Sequence, residues 1–287
     1  MTKSNFGDRT ETTKTRILTL NQKIDMKDFK FNKEEHYYEL DGRRLYGVTT
    51  ILGVIAKPAL IPWAVKMATD YIENNAKSLR SFLTELEFSP KIEITNIEKI
   101  DADILVVNSE ILKEAKSAHR KKKEAAGEKG TDAHSQIEDY IKHCIDHRDG
   151  IATDKMGTNE QVNHFVNWAT KNNIQFLASE KQLYSETAWV AGTTDMVFIK
   201  DGKKYVGDVK TSSAIYPEHF YQMAAYRMML EEMGETDFAG SVVIRIGKDG
   251  KFNESKDVQW RYDYQTDLGA FMGALAIFKA TESYKVK

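Results

Sequence analysis

Two aspartates and a lysine stand in a segment that otherwise reads as a buried β-hairpin. The segment GTTDMVFIKDGKKYVGDVKTSS, residues 192–213, carries Asp195, Asp208 and Lys210 among apolar and β-branched residues. The dipeptide Asp201-Gly202 at its centre favours a two-residue type I′ turn. With that turn, Asp195 lies directly opposite Asp208. Lys210 then lies on the same face as Asp208, because side chains alternate along a strand.

Two carboxylates that face each other across a hairpin repel, since their Cβ atoms are only ~4.5–5.5 Å apart. Both faces of this hairpin are apolar, which is typical of a sheet between helical layers. A shared proton or a divalent cation would remove the repulsion, and Mg²⁺ often takes one or two carboxylates with water and substrate phosphate. The alternative is that Lys210 pairs with Asp208 while Asp195 turns to solvent. A bulge would also shift the register.

His134 is the nearest candidate ligand outside the hairpin. The helical pattern over residues 104–147 is interrupted near Gly127 and Gly130, so Thr131-Asp132 is predicted to cap a new helix that starts just before His134. The ordinary interpretation of a single helical histidine is a surface or core residue.

Three more polar side chains could complete a site. Gln222 and Tyr226 are four residues apart in a helical pattern and therefore share one face of that helix. An ordinary helix face is the alternative for this pair. Glu180 lies in the strand before the hairpin, where it is either a salt-bridge partner or a further acid.

The elements that must position these residues follow from hydrophobic periodicity. The C-terminal half predicts the order βββαββα and hence an α/β fold. Its strands are expected at about 174–185, 188–200, 203–211, 240–246 and 257–263, and its helices over 217–233 and 265–281.

The N-terminal half is mostly helical in pattern. A small hairpin is predicted within 36–52, around Asp41-Gly42, and helices are predicted over 60–79 and 159–172. The chain is expected to divide in two. Residues 1–103 form an N-terminal arm, the small hairpin and a helical elaboration, and residues 104–287 form the core with the basic helix and the histidine.

Composition excludes several classes of protein. The chain has 287 residues, 41% of them hydrophobic, so it can build a sizeable core. A net charge of −2 is not that of a polycation, so any nucleic acid must bind to a local basic patch. The single cysteine, Cys144, excludes an internal disulfide, a cysteine zinc site and a four-cysteine iron–sulfur cluster, and is expected to be a buried thiol. The polar N-terminus and the lack of a long apolar run predict a cytoplasmic protein without a membrane span.

Four short motifs occur in a fixed order: GTDAH (130–134), AGTTD (191–195), GDVK (207–210) and QMAAY (222–226). Together they resemble the PD-(D/E)xK nuclease superfamily, specifically its RecB-like exonuclease branch. The motifs cover residues 130–226, and a weaker likeness to phage-encoded exonucleases, and less closely to mitochondrial genome maintenance exonucleases, extends over most of the chain. Thr194 stands where the superfamily's name has proline. The lone cysteine excludes the iron–sulfur subgroup of this branch.

The resemblance implies a restriction-endonuclease-like core, with a central mixed β-sheet flanked by helices, and a metal site. Asp195, Asp208 and His134 would bind Mg²⁺ or Mn²⁺, with the backbone carbonyl of Val209 as a further ligand. The metal would polarise the scissile phosphate and lower the pKa of the attacking water.

The resemblance also implies roles for the remaining motif residues. Lys210 would position water or neutralise charge on the phosphate, and Gln222 and Tyr226 would support the site and touch the DNA backbone. The expected activity is that of a DNA exonuclease leaving 5′-phosphate and 3′-hydroxyl ends, in phage-type recombination, repair or DNA degradation, with a single-strand annealing or recombinase protein as a possible partner. The alternatives are a structure-specific endonuclease on the same core and a non-catalytic DNA-binding recombination partner.

A basic helical segment precedes the histidine motif. In EILKEAKSAHRKKKEAAGEKG (110–130), Lys116, Arg120 and Lys123 fall on one helix face and could contact phosphates. The alternative is a solvated, salt-bridged helix, because glutamates interleave with the basic residues. Trp63 and Trp189 could stack on bases, although core packing explains each of them as well.

Overall fold

A computed structural model describes residues 28–55, 57, 60–78, 105–153, 159–247 and 251–285. Most of the predicted N-terminal arm lies outside these residues. The strands are β1 (Phe29–Asn32), β2 (Tyr37–Leu40), β3 (Arg43–Gly47), β4 (Lys77–Ser78), β5 (Leu105–Val106), β6 (Gln175–Ser185), β7 (Val190–Lys200), β8 (Lys203–Lys210), β9 (Phe238–Arg245) and β10 (Val258–Arg261). The helices are α1 (Val48–Leu52), α2 (Leu60–Asn75), α3 (Ser109–Arg148), α4 (Glu160–Lys171), α5 (Pro217–Glu232), α6 (Glu254–Asp257) and α7 (Tyr264–Lys285).

The predicted α/β class is confirmed, since helices surround a mixed eight-stranded sheet. The strand order is β1-β2-β3-β7-β8-β9-β10, and β6 pairs with the other edge of β7. β8 and β9 run parallel, whereas β6–β7, β7–β8 and β9–β10 are antiparallel. From β6 onward the order βββαββα is as predicted, apart from the four-residue helix α6.

Apolar side chains are buried on both faces of the central sheet, as predicted. One face packs against α1, α5 and α7 in a cluster that includes Val197 and Val206. The other face packs against α3 and α4 in a cluster that includes Met196, Phe198 and Val209. Cys144 is fully buried in this second cluster, as predicted, and burial raises the pKa of its thiol.

The N-terminal hairpin belongs to the same sheet. The turn at Asp41-Gly42 has positive φ at both residues, 48° and 74°, as its sequence predicts. β3 then runs parallel to β7, with Tyr46 beside Val190, so the sheet continues across the predicted boundary between residues 103 and 104. The chain after β3 turns into helix α1 and does not stay in the hairpin to residue 52.

The predicted helix break near Gly127 and Gly130 is wrong, because α3 is a single 40-residue helix. Its N-cap is Asn108, whose side chain accepts a hydrogen bond from the Ile111 N–H, and not Thr131-Asp132. A glycine inside a helix costs only about 1 kcal/mol. The C-terminal half of α3 offsets that cost by burying a stripe of side chains against the sheet: Ala133, Ile137, Tyr140, Ile141 and Cys144.

Candidate active site

The hairpin of β7 and β8 has the predicted turn and the predicted register up to the site. Asp201 and Gly202 both have positive φ, 50° and 72°, and the ladder runs from Lys200–Lys203 to Met196–Gly207. The next pair, Asp195 with Asp208, does not form. The strands separate there, and the backbone N–H of Val209 donates instead to Asp195 Oδ2 at 2.7 Å. The expected face-to-face pairing of the two aspartates is therefore wrong, although both line one cavity.

The separation opens a fork on one edge of β7. β6 pairs along the other edge of β7, so β8 and β3 must share this edge. β8 pairs with residues 196–200 of β7, and β3 pairs with Val190 and Ala191. The stretch between these two ladders contains Asp195. A strand edge left open in this way exposes polar groups that a regular sheet would cover.

An irregularity in β6 accompanies the fork. Glu180 has φ of 46°, a left-handed conformation that is uncommon for a residue other than glycine. It lies between Ser179 and Lys181, whose partners Met196 and Thr194 flank Asp195. The strict alternation of side chains is also lost here, because Val190 and Val197 pack on the same face of the sheet. Strained backbone of this kind clusters at functional sites.

Asp208, Lys210, Gln222 and Tyr226 form a connected polar chain. The Lys210 ammonium contacts Asp208 Oδ2 and donates to Gln222 Oε1 at 2.8 Å. Gln222 Nε2 in turn donates to the Tyr226 hydroxyl at 2.7 Å. Asp208, Gln222 and Tyr226 are 2%, 5% and 3% exposed. These buried side chains therefore fix the position of the Lys210 ammonium.

Gly192 makes room for this chain, and sequence reasoning did not single it out. A Cβ atom at this position would lie 2.5 Å from Cε1 of Tyr226, closer than real Cβ contacts. The glycine in the AGTTD stretch was the available signal, because glycine in a strand interior often marks a close approach.

His134 reaches the fork from the middle of α3. Its Nε2 donates to the backbone carbonyl of Val209 at 2.7 Å and lies 3.7 Å from Asp195 Oδ2. The structure thus brings together the four groups that the resemblance assigns to a metal: His134, Asp195, Asp208 and the Val209 carbonyl.

Burial disfavours the ionised form of two acids of the site, Asp195 and Glu180. It raises the pKa of Asp195 to about 7, helped by the nearby negative charge of Asp208. Burial also raises the pKa of Glu180, with a smaller contribution from Glu138. The alternative in which Lys210 pairs with Asp208 is correct for that pair. The accompanying prediction that Asp195 turns to solvent is wrong, because its side chain is only 16% exposed and points into the fork.

The donor set fits a hard divalent cation. Asp208 Oδ2 is buried and accepts no hydrogen bond from the described residues, where its one contact is the ionic one with Lys210. Within the described ranges no cluster of three or more His, Cys, Asp or Glu side chains has the spacing of a metal cage. The set is more open, with two carboxylates, a carbonyl and an imidazole. Magnesium suits such a set, since it binds through one or two carboxylates and keeps several waters.

A cavity of about 580 Å³ collects these groups. Its walls include every side chain predicted for catalysis or metal binding, and also Glu180: His134, Glu180, Asp195, Asp208, Lys210, Gln222 and Tyr226. Residues of the N-terminal hairpin complete the walls, and sequence reasoning gave them no role. Their contribution depends on the pairing of β3 with β7, for which no local sequence signal exists.

The predicted basic patch does not reach this cavity. Lys116, Arg120 and Lys123 are exposed on α3, and none of them lines the cavity. Arg120 lies 3.8 Å from Glu124, as expected for a salt-bridged helix. Trp63 contacts the ring of His119, and Trp189 carries the guanidinium of Arg43 4.4 Å above its ring, so both indoles already have packing partners.

No protein-family model matches this chain, and no curated protein is significantly similar to it in sequence. Among the described residues, no helix combines the length and the apolar character needed to cross a membrane.

Proposed function

We propose that this protein is a Mg²⁺- or Mn²⁺-dependent deoxyribonuclease, acting as an exonuclease that leaves 5′-phosphate and 3′-hydroxyl ends. The observation that supports the proposal most directly is the buried Asp208 carboxylate, whose Oδ2 has only its ionic contact with Lys210 among the described residues, placed beside Asp195 and the Val209 carbonyl. The βββαββα order and the four motifs support a restriction-endonuclease-like core of the RecB-like branch.

Asp195, Asp208, His134 and the Val209 carbonyl would hold the metal. When bound, the metal supplies Lewis-acid polarisation of a phosphate oxygen and a more acidic water. Without a metal, His134 Nε2 donates to the Val209 carbonyl, and coordination of both groups would replace this hydrogen bond. The Val209 N–H donates to the Asp195 carboxylate and so fixes its orientation toward the fork.

Lys210 would stabilise negative charge that develops on the phosphate. Its ammonium is held by Gln222, and Gln222 is held by Tyr226, so the cation is positioned before substrate arrives. Preorganised charge of this kind is worth about 10²–10³ in rate in a site that excludes water. Gln222 and Tyr226 act as positioning residues through Lys210.

Digestion of end-labelled DNA tests the proposal. Linear single- and double-stranded DNA, labelled separately at the 5′ and 3′ ends, and closed circular DNA are incubated with and without Mg²⁺. We expect cleavage only with the metal, progressive release of nucleotides from linear DNA, and an intact circle. Cleavage of the circle would replace the exonuclease by an endonuclease. Equal cleavage in the presence of a chelator would contradict metal dependence.

A further inference from the structure

The cavity has a second wall, which the catalytic proposal does not use. His36, Tyr37, Arg44 and Tyr46, all from the β2–β3 hairpin or the turn before it, line the same cavity as Asp195. His36 and Arg44 are exposed, and Tyr46 is 37% exposed, with its ring in edge contact with Phe278 at a centroid distance of 5.1 Å.

Three of these residues lie on the outer face of the hairpin, together with Glu39. Pairing of Glu39 with Arg44 and the alternation along each strand place Tyr37, Arg44 and Tyr46 on the same face. The Arg44 guanidinium lies 3.8 Å above the centre of the Tyr37 ring, which makes a stacked pair. The opposite face of the hairpin carries Tyr38, Leu40 and Leu45, which are buried against Ala191.

This surface is fixed relative to the catalytic strand. The Tyr46 N–H donates to the carbonyl of Trp189 at 3.3 Å, and the Trp189 indole N–H donates to the carbonyl of Arg44 at 2.9 Å. The Tyr38 hydroxyl lies 2.9 Å from Thr193 Oγ1, two residues before Asp195. The hairpin therefore holds its aromatic and cationic groups at a set distance from the acids.

We propose that Tyr37, Arg44 and Tyr46 bind the base and backbone of an unpaired nucleotide next to the scissile phosphate, so that the substrate is a single-stranded DNA end. This inference rests on the proposed nuclease function. Aromatic rings and arginine planes stack on the bases of single strands, whereas the base faces in a duplex are already stacked on each other. A cavity of about 580 Å³ is in the range that holds one drug-sized ligand, which fits roughly one or two nucleotides.

Arg44 is free to exchange its present partner for phosphate. Its Nη2 lies 3.3 Å from Glu35 Oε2, but both side chains are 66% exposed. An ion pair with that exposure contributes little in water. A planar guanidinium also offers two parallel donors to a phosphate group while its face stacks on a ring.

Binding of abasic DNA tests the role of stacking. The full chain carrying Asp208→Asn, a change expected to suppress cleavage, is titrated with fluorescent single-stranded 12-mers in Mg²⁺. One oligonucleotide has all of its bases, and the other is abasic at the last two positions of both ends. We expect the intact oligonucleotide to bind about 5- to 100-fold more tightly, and a blunt duplex of the same length to bind more weakly than the single strand.

Substitutions in the β2–β3 hairpin show which residues cause the preference for the intact oligonucleotide over the abasic one. Tyr37→Ala, Arg44→Ala and Tyr46→Ala should each reduce the preference for intact bases. Arg44→Lys should lose the preference but keep the salt dependence of binding, because it retains charge without the plane. Tyr262→Ala is the matched control, since Tyr262 is 64% exposed and does not line the cavity. It should leave the preference unchanged.

Two results would overturn the inference. One is an unchanged preference for intact bases in the three alanine variants, and the other is tighter binding of the duplex than of the single strand. If the wild-type protein still hydrolyses DNA with Mg²⁺ in either case, the nuclease proposal stands and only the hairpin assignment fails. Absence of both binding and hydrolysis would contradict the nuclease proposal as well.

Discussion

Asp195 is subject to opposing demands. The Val209 N–H favours its ionised form, whereas burial and the charge of Asp208 favour the protonated form and raise its pKa to about 7. Its folded pKa thus lies above the unfolded value, so proton binding stabilises the fold. In the metal-free protein this stabilisation is lost as pH rises from about 4 to about 7.

Asp195→Asn should therefore stabilise the metal-free protein at high pH. The amide oxygen can still accept from Val209, and no carboxylate has to ionise. We expect the free energy of unfolding to exceed that of the wild type by about 1 to 4 kcal/mol at pH 8, and the difference to shrink towards pH 4. Urea denaturation with a chelator, repeated across this range, measures it. A difference that does not change with pH would contradict the proposed ionisation.

Gly192 shows how a residue without a functional group can determine the site. Gly192→Ala places a methyl group against the Tyr226 ring, so we expect a loss of stability of about 1 to 3 kcal/mol and weaker Mg²⁺-dependent cleavage. Gly269→Ala is the matched control, because beyond the local helix backbone no atom of the described residues lies within 4 Å of the added methyl group. In helix α7 it should be neutral or stabilising.

A double-mutant cycle separates this clash from a general defect. Tyr226→Leu removes the ring carbon that the methyl group meets, so the stability losses of Gly192→Ala and Tyr226→Leu should be far from additive. Strictly additive losses, measured by thermal unfolding, would show that the glycine acts through another neighbour.

At the scale of elements, local signals determined what the sequence could predict. Asp201-Gly202 sets the turn and five pairs of the ladder, because a two-residue loop leaves no freedom of register. The ladder ends at Met196, and β3 pairs farther along the same edge of β7, a contact between segments far apart in sequence. No pattern within the hairpin records that neighbour.

The predicted break in helix α3 is wrong for the same reason, since local signals do not record contacts with distant segments. Gly127 and Gly130 are local signals for a break, and the burial of Ile137, Tyr140 and Cys144 against the sheet overrides them. His134 lies in a helix as predicted, but within α3 and not near a helix start, and its contact with the Val209 carbonyl depends on α3 continuing past Gly130. Element types were thus predictable, and their meeting points were not.

At the scale of the whole molecule, the candidate site is a junction. α3 supplies His134, β6 supplies Glu180, β7 and β8 supply the two aspartates and Lys210, and α5 supplies the pair that holds the lysine. The N-terminal hairpin closes the cavity on another side. Groups from so many elements are positioned only in the folded chain, which is why isolated motifs say little about geometry.

The central claim is that Asp208 binds a metal ion that this protein needs to hydrolyse DNA, and a matched pair of variants tests it most directly. Asp208→Asn and Asp201→Asn make the same chemical change in the same hairpin, and Asn-Gly suits the type I′ turn as well as Asp-Gly. The measurement is the rate of Mg²⁺-dependent cleavage of linear DNA. We expect Asp208→Asn to lower it by at least about 100-fold and Asp201→Asn to leave it unchanged. Cleavage by Asp208→Asn at the wild-type rate would contradict the site.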